Sequence, residues 1–268
     1  MTDYTVTELN LSRQNLTVLP DLSLYTNLQV VDCCNNQLTS LDNLPLTLQT
    51  LWCANNQLTR LGFRGSDNDR LESAFSTFIE HLPPNLRELD CCNNQLTSLD
   101  NLPPTLRELW CSNNQLARLE NLPPNLKRLW CSNNQLARLD HLPPNLHQLY
   151  CSNNRLTSLD NLPQYLEYLD CNDNQIVSLF GTSFPSCLRE LYCDNNQLTS
   201  LDILPILLDV LYCSNNQLTS LDYLPLLEDL CCNNNPIYTL YGFELSTKTM
   251  NQYNEIKRME KECCPLLK

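Results

Sequence analysis

Apolar and polar positions return along this chain with a fixed beat. In LRELWCSNNQLARLENLPPN (106–125) the marked positions are Leu106, Leu109, Cys111, Asn114, Leu116 and Leu119, and LKRLWCSNNQLARLDHLPPN (126–145) repeats them. The stretch LWCSNNQLARL is identical at 109–119 and 129–139. Cys33 to Cys53 is a step of 20 residues, Cys91, Cys111, Cys131, Cys151 and Cys171 follow one another at 20, and steps of 22, 20 and 19 lead to Cys193, Cys213 and Cys232. Within a unit, Leu109 and Cys111 alternate with Glu108 and Trp110. That alternation predicts a short strand with one set of side chains inward and the other outward. A single such strand cannot bury its own apolar side, whereas parallel copies stacked about 4.8 Å apart can. Eleven copies, counting one with Leu11 at the Cys position, predict a curved rod about 50 Å long.

A period near 20 with the pattern L-x-x-L-x-[LC]-x-x-N-x-L is a leucine-rich repeat signature. The expected fold is an α/β-type solenoid: a curved leucine-rich repeat rod with a parallel concave β-sheet, a mostly irregular convex side and few short helices. The convex expectation follows from the return segment, where Pro123 and Pro124 forbid a helix interior and favour an extended path. Three places break the period. Cys53 and Cys91 lie 38 residues apart, which leaves an insert at 62–80. There Leu71, Phe75, Phe78, Ile79 and Leu82 fall at near-helical spacing after Asp67, Asn68 and Asp69, predicting a short amphipathic helix. The first repeat has Gln14 where Asn is expected, a departure usual in repeats that cap a stack. Towards the end, Met250, Tyr253, Ile256 and Met259 share one side of a predicted helix. The domain reading is therefore a solenoid over 1–245, followed by a capping helix and tail over 246–268.

Composition narrows the function classes. A net charge of −13 argues against a nucleic-acid or anionic-membrane surface, because phosphate binding needs clustered cations. Only 4 Gly are present, too few for the turns of a conventional sandwich or barrel. The most apolar segment, ILPILLDVLY (203–212), is short and carries Asp209, so no membrane span is predicted. The stretch MTDYTVTELN has no basic region followed by an apolar run and does not read as a signal peptide.

The segment LPPNLRELDCCNNQLTSLDNLPP (82–104) resembles the short repeats of bacterial effector proteins of the YopM and IpaH kind. Repeats with Cys at the inward position are also similar to those of giant-virus and intracellular-bacterial proteins. The resemblance covers about 1–240 and implies a protein that acts in the cytoplasm of a eukaryotic host cell and binds a host protein through its repeat surface. Asp100, Glu120 and Asp140 stand where that family has its second Pro, and the chain has no room for the helical ubiquitin-ligase domain of the IpaH branch. That branch's Cys-x-Asp motif occurs as Cys171 to Asp173, but on an inward strand position, where it reads as core.

Candidate chemistry is weighed against packing. Ten of the 16 cysteines occupy the inward site, in a line that does not suit the four ligands around a point that zinc requires. They read as small buried apolar residues in a reducing, cytoplasmic setting. The second Asn of each NN pair, such as Asn114, is expected to turn inward and satisfy loop backbone groups. The acids that follow the third Leu, such as Asp42, Asp100 and Asp160, read as turn caps. His81, His141 and His147 have no nucleophile beside them in the pattern, and no Gly-rich phosphate loop occurs. The reading is a protein without enzymatic activity, cofactor or metal.

The outward position between Leu and Cys is different. It holds Trp52, Trp110, Trp130, Tyr150, Tyr192 and Tyr212, and all 3 Trp of the chain fall there. Cross-strand aromatic stacking is one explanation; a binding stripe is the other, because Trp and Tyr are enriched in interface hot spots. With Arg107 and Arg128 beside them, and Arg87 and Lys127 near, these residues are the candidate partner-binding set. Glu167, Asp209, Glu228 and Asp229 make the late repeats acidic. The function read from this is recognition of a protein partner on the concave face by a monomer. A Cys- or metal-dependent enzyme and a self-associating architectural protein are the alternatives.

Overall fold

The structure, a computed structural model, describes residues 3–42, 44–61, 82–179, 183–201, 204–222 and 224–237. The helices expected in the 62–80 insert and in the 246–268 segment lie outside these residues. Among the described residues there are eleven strands of three residues each: β1 (Glu8–Asn10), β2 (Val30–Asp32), β3 (Thr50–Trp52), β4 (Glu88–Asp90), β5 (Glu108–Trp110), β6 (Arg128–Trp130), β7 (Gln148–Tyr150), β8 (Tyr168–Asp170), β9 (Glu190–Tyr192), β10 (Val210–Tyr212) and β11 (Asp229–Cys231). They form one parallel sheet in chain order. Register is maintained from strand to strand, so that Leu109 faces Leu129 and Trp110 faces Trp130. This is the parallel-sheet solenoid that the period predicts.

The inward side is a set of aligned rows. Leu89, Leu109, Leu129, Leu149 and Leu169 are fully buried, and so are Cys91, Cys111, Cys131, Cys151 and Cys171 one row further along. Each buried Leu contributes about 1.5–3 kcal/mol. The thiols also donate weakly to a carbonyl of the next repeat, as Cys111 Sγ does to Trp130 O at 3.2 Å. Burial pushes the Cys33 and Cys131 thiols up to about 12. They are neutral core groups, as the alternation predicts.

Past the strand the backbone must turn, and the NN pair divides the labour. The first Asn takes a left-handed conformation, with φ of 58° at Asn113, 55° at Asn133 and 51° at Asn153. Among non-glycine residues, Asn and Asp tolerate this region best. The second Asn closes the loop by hydrogen bonds. Asn154 Nδ2 donates to Cys131 O at 3.1 Å and Cys151 O at 3.0 Å, and its Oδ1 accepts from Leu136 N at 3.0 Å. The buried amide thus stitches two repeats together and pairs loop carbonyls and an N–H where water is absent. In the first repeat Arg13 takes the left-handed place, with φ 58°, and Gln14 reaches only Asn10 O at 3.4 Å.

The convex return is irregular, with no regular helix among the described residues. Leu126 N donates to Pro123 O at 3.1 Å, one tight turn per repeat. Asn101, Asn121, His141 and Asn161 turn the chain with φ between 52° and 59°. The acids of this side are capped or paired: Ser98 Oγ donates to Asp100 at 2.6 Å, and Arg118 meets Glu120 at 3.2 Å.

Candidate recognition face

The outward side chains of the strands are held in register by the backbone ladder, so their rings meet face to face. Trp110 and Trp130 stack at a centroid separation of 4.7 Å and 12° between planes, and Trp130 and Tyr150 at 5.1 Å and 8°. Asp170 interrupts this row at the next strand. The gap is bridged by Tyr168, two residues earlier on the same outward side of β8, at 4.5 Å from Tyr150 and 5.3 Å from Tyr192. Tyr212 follows at 5.1 Å, edge-on to Tyr192. Six rings therefore form one continuous file across six strands. Tyr168 does not appear in the set read from the sequence, because it occupies the first strand position rather than the third; its aromatic character on an outward strand site was the available signal.

Trp52 stands apart from the file. Its register neighbours are Asp32 and Asp90, and it is 39% exposed, more than the half-buried Trp110 and Trp130. Arg107 and Arg128, read together from the sequence, separate. Arg128 lies on the face at the start of β6 and pairs with Glu108 at 2.9 Å, so its charge is partly answered. Arg107 lies one residue before β5, on the rim where strands begin, beside Arg87 and Lys127.

The C-terminal end of the face has another character. Tyr192 Oη donates to Glu190 at 2.8 Å and Tyr212 Oη to Asp229 at 2.7 Å. Burial, and then the bond to Glu190, hold the Tyr192 hydroxyl well above the usual tyrosine range. Burial likewise raises the carboxyls of Asp170 and Asp194, although Asp170 accepts from Asn172 N at 3.1 Å. These groups make a hydrogen-bonded surface of rings and acids. No group of His, Cys, Asp and Glu among the described residues is arranged to hold a metal ion.

Parallel three-residue strands, an Asn ladder behind them and a return turn per repeat make a leucine-rich repeat solenoid. The family model for leucine-rich repeats, in its two-copy form, matches residues 84–124, 124–164 and 165–205. Among solved structures the chain is similar to YopM from Yersinia enterocolitica WA-314, with 28% identity over 86% of this chain and 65% of that one and a TM-score of 0.41. It is similar to the functional domain of InlJ from Listeria monocytogenes, described as including a cysteine ladder, with 23% identity over 85% and 63% and a TM-score of 0.51. It is also similar to a chain in the octameric complex of latrophilin 3, Unc5D and the leucine-rich repeats of FLRT2, with 23% identity over 81% and 78% and a TM-score of 0.61. The chain spans less than two thirds of the YopM and InlJ chains. No curated protein sequence matches it. Leucine-rich repeats are generally non-enzymatic interaction scaffolds, which supports a protein-interaction module. No helix among the described residues is long and apolar enough to cross a membrane.

Proposed function

We propose that this chain is a non-enzymatic recognition module that grips a protein partner on its concave face, with the aromatic file as anchor. The observation that carries this is the continuous row from Trp110 to Tyr212 on a side of the sheet that the fold leaves open to solvent. Large, rigid rings offer wide apolar contact with little side-chain entropy to lose, which is why they dominate interface energetics. Trp110, Trp130 and Tyr150 are the central anchors, Tyr192 and Tyr212 extend the stripe, and Trp52 with Arg107 and Arg128 completes the contacting set. The module acts as a monomer in the cytoplasm of a host cell, a setting supported by the effector-like repeats and by inward thiols that are free from Cys33 to Cys213.

A second reading has its own support: stacking at 8° to 12° is also what rings do to stabilise a sheet surface. The experiment that separates them is capture of binding proteins from host lysate, identified by mass spectrometry, with wild type and with Trp110→Ala/Trp130→Ala. Recognition requires that a protein captured by wild type is lost from the double variant while its melting transition persists. Unchanged capture by the folded variant overturns it.

A further inference from the structure

One row of side chains is not used by the aromatic file. Immediately before each strand a residue sits on the rim, and its backbone joins the ladder: Arg107 N donates to Arg87 O at 2.8 Å and Lys127 N to Arg107 O at 2.7 Å. Adjacent strands lie about 4.8 Å apart, so Arg87, Arg107 and Lys127 are held side by side at that spacing. All three are exposed. No ion pair joins them to any acid among the described residues, although Arg118, Arg128, Arg138 and Arg189 each have one. A groove runs along this rim, and the polar side chains between the cations are already occupied. Asn125 Nδ2 donates to Pro104 O and Asn145 Nδ2 to Pro124 O, both at 3.2 Å. The guanidinium and ammonium groups are the cationic hydrogen-bond donors of the groove. His147, stacked on Tyr165 at 6.2 Å, closes the run, and the next rim residue is Glu167.

Three neighbouring cations without an ion pair among the described residues, in a chain of net charge −13, define a local positive strip on a negative body. At physiological salt, charges beyond about 8 Å are largely screened. A short anionic segment seated in the groove feels the strip; a long polyanion runs beyond it on to acidic surface. Extended peptide places alternate side chains roughly 6.6 Å apart, within reach of long cationic side chains on strands at their own spacing. We propose that the rim groove over β4 to β7 docks an acidic peptide segment, its carboxylates on Arg87, Arg107 and Lys127. This goes beyond the concave-face reading, with which it shares only Arg107.

The test is fluorescence anisotropy of the full chain with a labelled oligoglutamate peptide at low salt, with oligolysine and single-stranded oligothymidine as the other probes. Saturable oligoglutamate binding is expected, weakened by salt. Two exposed pairs reversed in Arg107→Glu/Lys127→Glu lower the affinity roughly tenfold or more. Trp110→Ala leaves it in place. Lys127→Gln, a milder change, gives an intermediate loss and keeps the question open to measurement if the reversal variant misfolds. Absence of saturable binding, indifference to charge reversal, tighter binding of oligothymidine, or loss of the peptide in Trp110→Ala with the rim intact overturns the proposal. Only the last of these points back to the aromatic file.

Discussion

The two sides of this sheet carry equally regular rows, yet they obey different rules. On the inward side almost every rung is the same: Cys from Cys33 to Cys232, Asn from Asn36 to Asn235. Each must fit against copies of itself above and below, and the Asn must serve carbonyls of two repeats at once, so a rung that differs leaves a void or an unpaired group. On the outward side the rungs read Asn, Asp, Trp, Asp, Trp, Trp, Tyr, Asp, Tyr, Tyr, Cys. No packing constraint imposes one identity there. Uniform rows in a solenoid report on stacking, and a row that varies from rung to rung is where a chain is free to encode a partner.

The comparison is broken most severely at an inward Asn. Asn154→Ala leaves the buried N–H of Leu136 without its acceptor and takes one of two donors from the carbonyls of Cys131, which keeps Asn134, and Cys151, which keeps Asn174. At about 1–3 kcal/mol for the buried unpaired N–H and about 0.5–1.5 kcal/mol for each carbonyl bond lost, a loss of about 3 kcal/mol is expected, read as a fall in the midpoint of chemical denaturation. Cys151→Ser tests the neighbouring row. It places a stronger polar group in a fully buried site whose thiol makes only a weak bond to Asp170 O at 3.2 Å. The expected cost is about 2 kcal/mol, with Cys151→Ala costing less. If the serine variant is as stable as wild type, the thiol row is not apolar core.

How much of this was legible follows the same division. The strand alternation, the inward thiols and the role of the second Asn could be read from Leu109, Cys111 and Asn114, because period and polarity determine them. The first Asn could not: its need for φ near 55° at Asn133 belongs to the path of the turn, which spacing does not show. Tyr168 was missed because one strand offers two outward sites, and which of them reaches a neighbour's ring depends on side-chain geometry. That Arg107 sits on the rim and Arg128 on the face is hidden in the sequence for a related reason. Rim and face are a residue or two apart in sequence, but only the face residue can meet Glu108 on the next strand.

Outward changes are expected to be gentler on the fold. Trp130→Ala removes two ring contacts, with Trp110 and Tyr150. At roughly 0.2–1 kcal/mol per cross-strand pair the loss of stability is about 1 kcal/mol, well below that of Asn154→Ala. A loss equal to the Asn change would mean that the file is structural and that the two sides do not differ in kind.

The smallest effect sharpens the contrast within the outward side itself, at Asp170, the rung where the row of rings is interrupted. Burial raises this carboxyl above its unfolded value, so the folded state holds the proton more tightly than the unfolded chain. Its ionised form is the strained one: stability contributed by the neutral acid is present at low pH and is lost as pH rises through the window from the unfolded carboxylate value, about 4, up to the folded one. Asp170→Asn keeps an oxygen to accept from Asn172 N and removes the charge. The variant is therefore expected to match or slightly exceed wild type at neutral pH and to flatten the pH dependence of the melting temperature across that window. A variant less stable than wild type at neutral pH would show instead that the carboxylate is favoured there. The acid would then belong with the hydrogen-bonded inward rows rather than with the face free to vary.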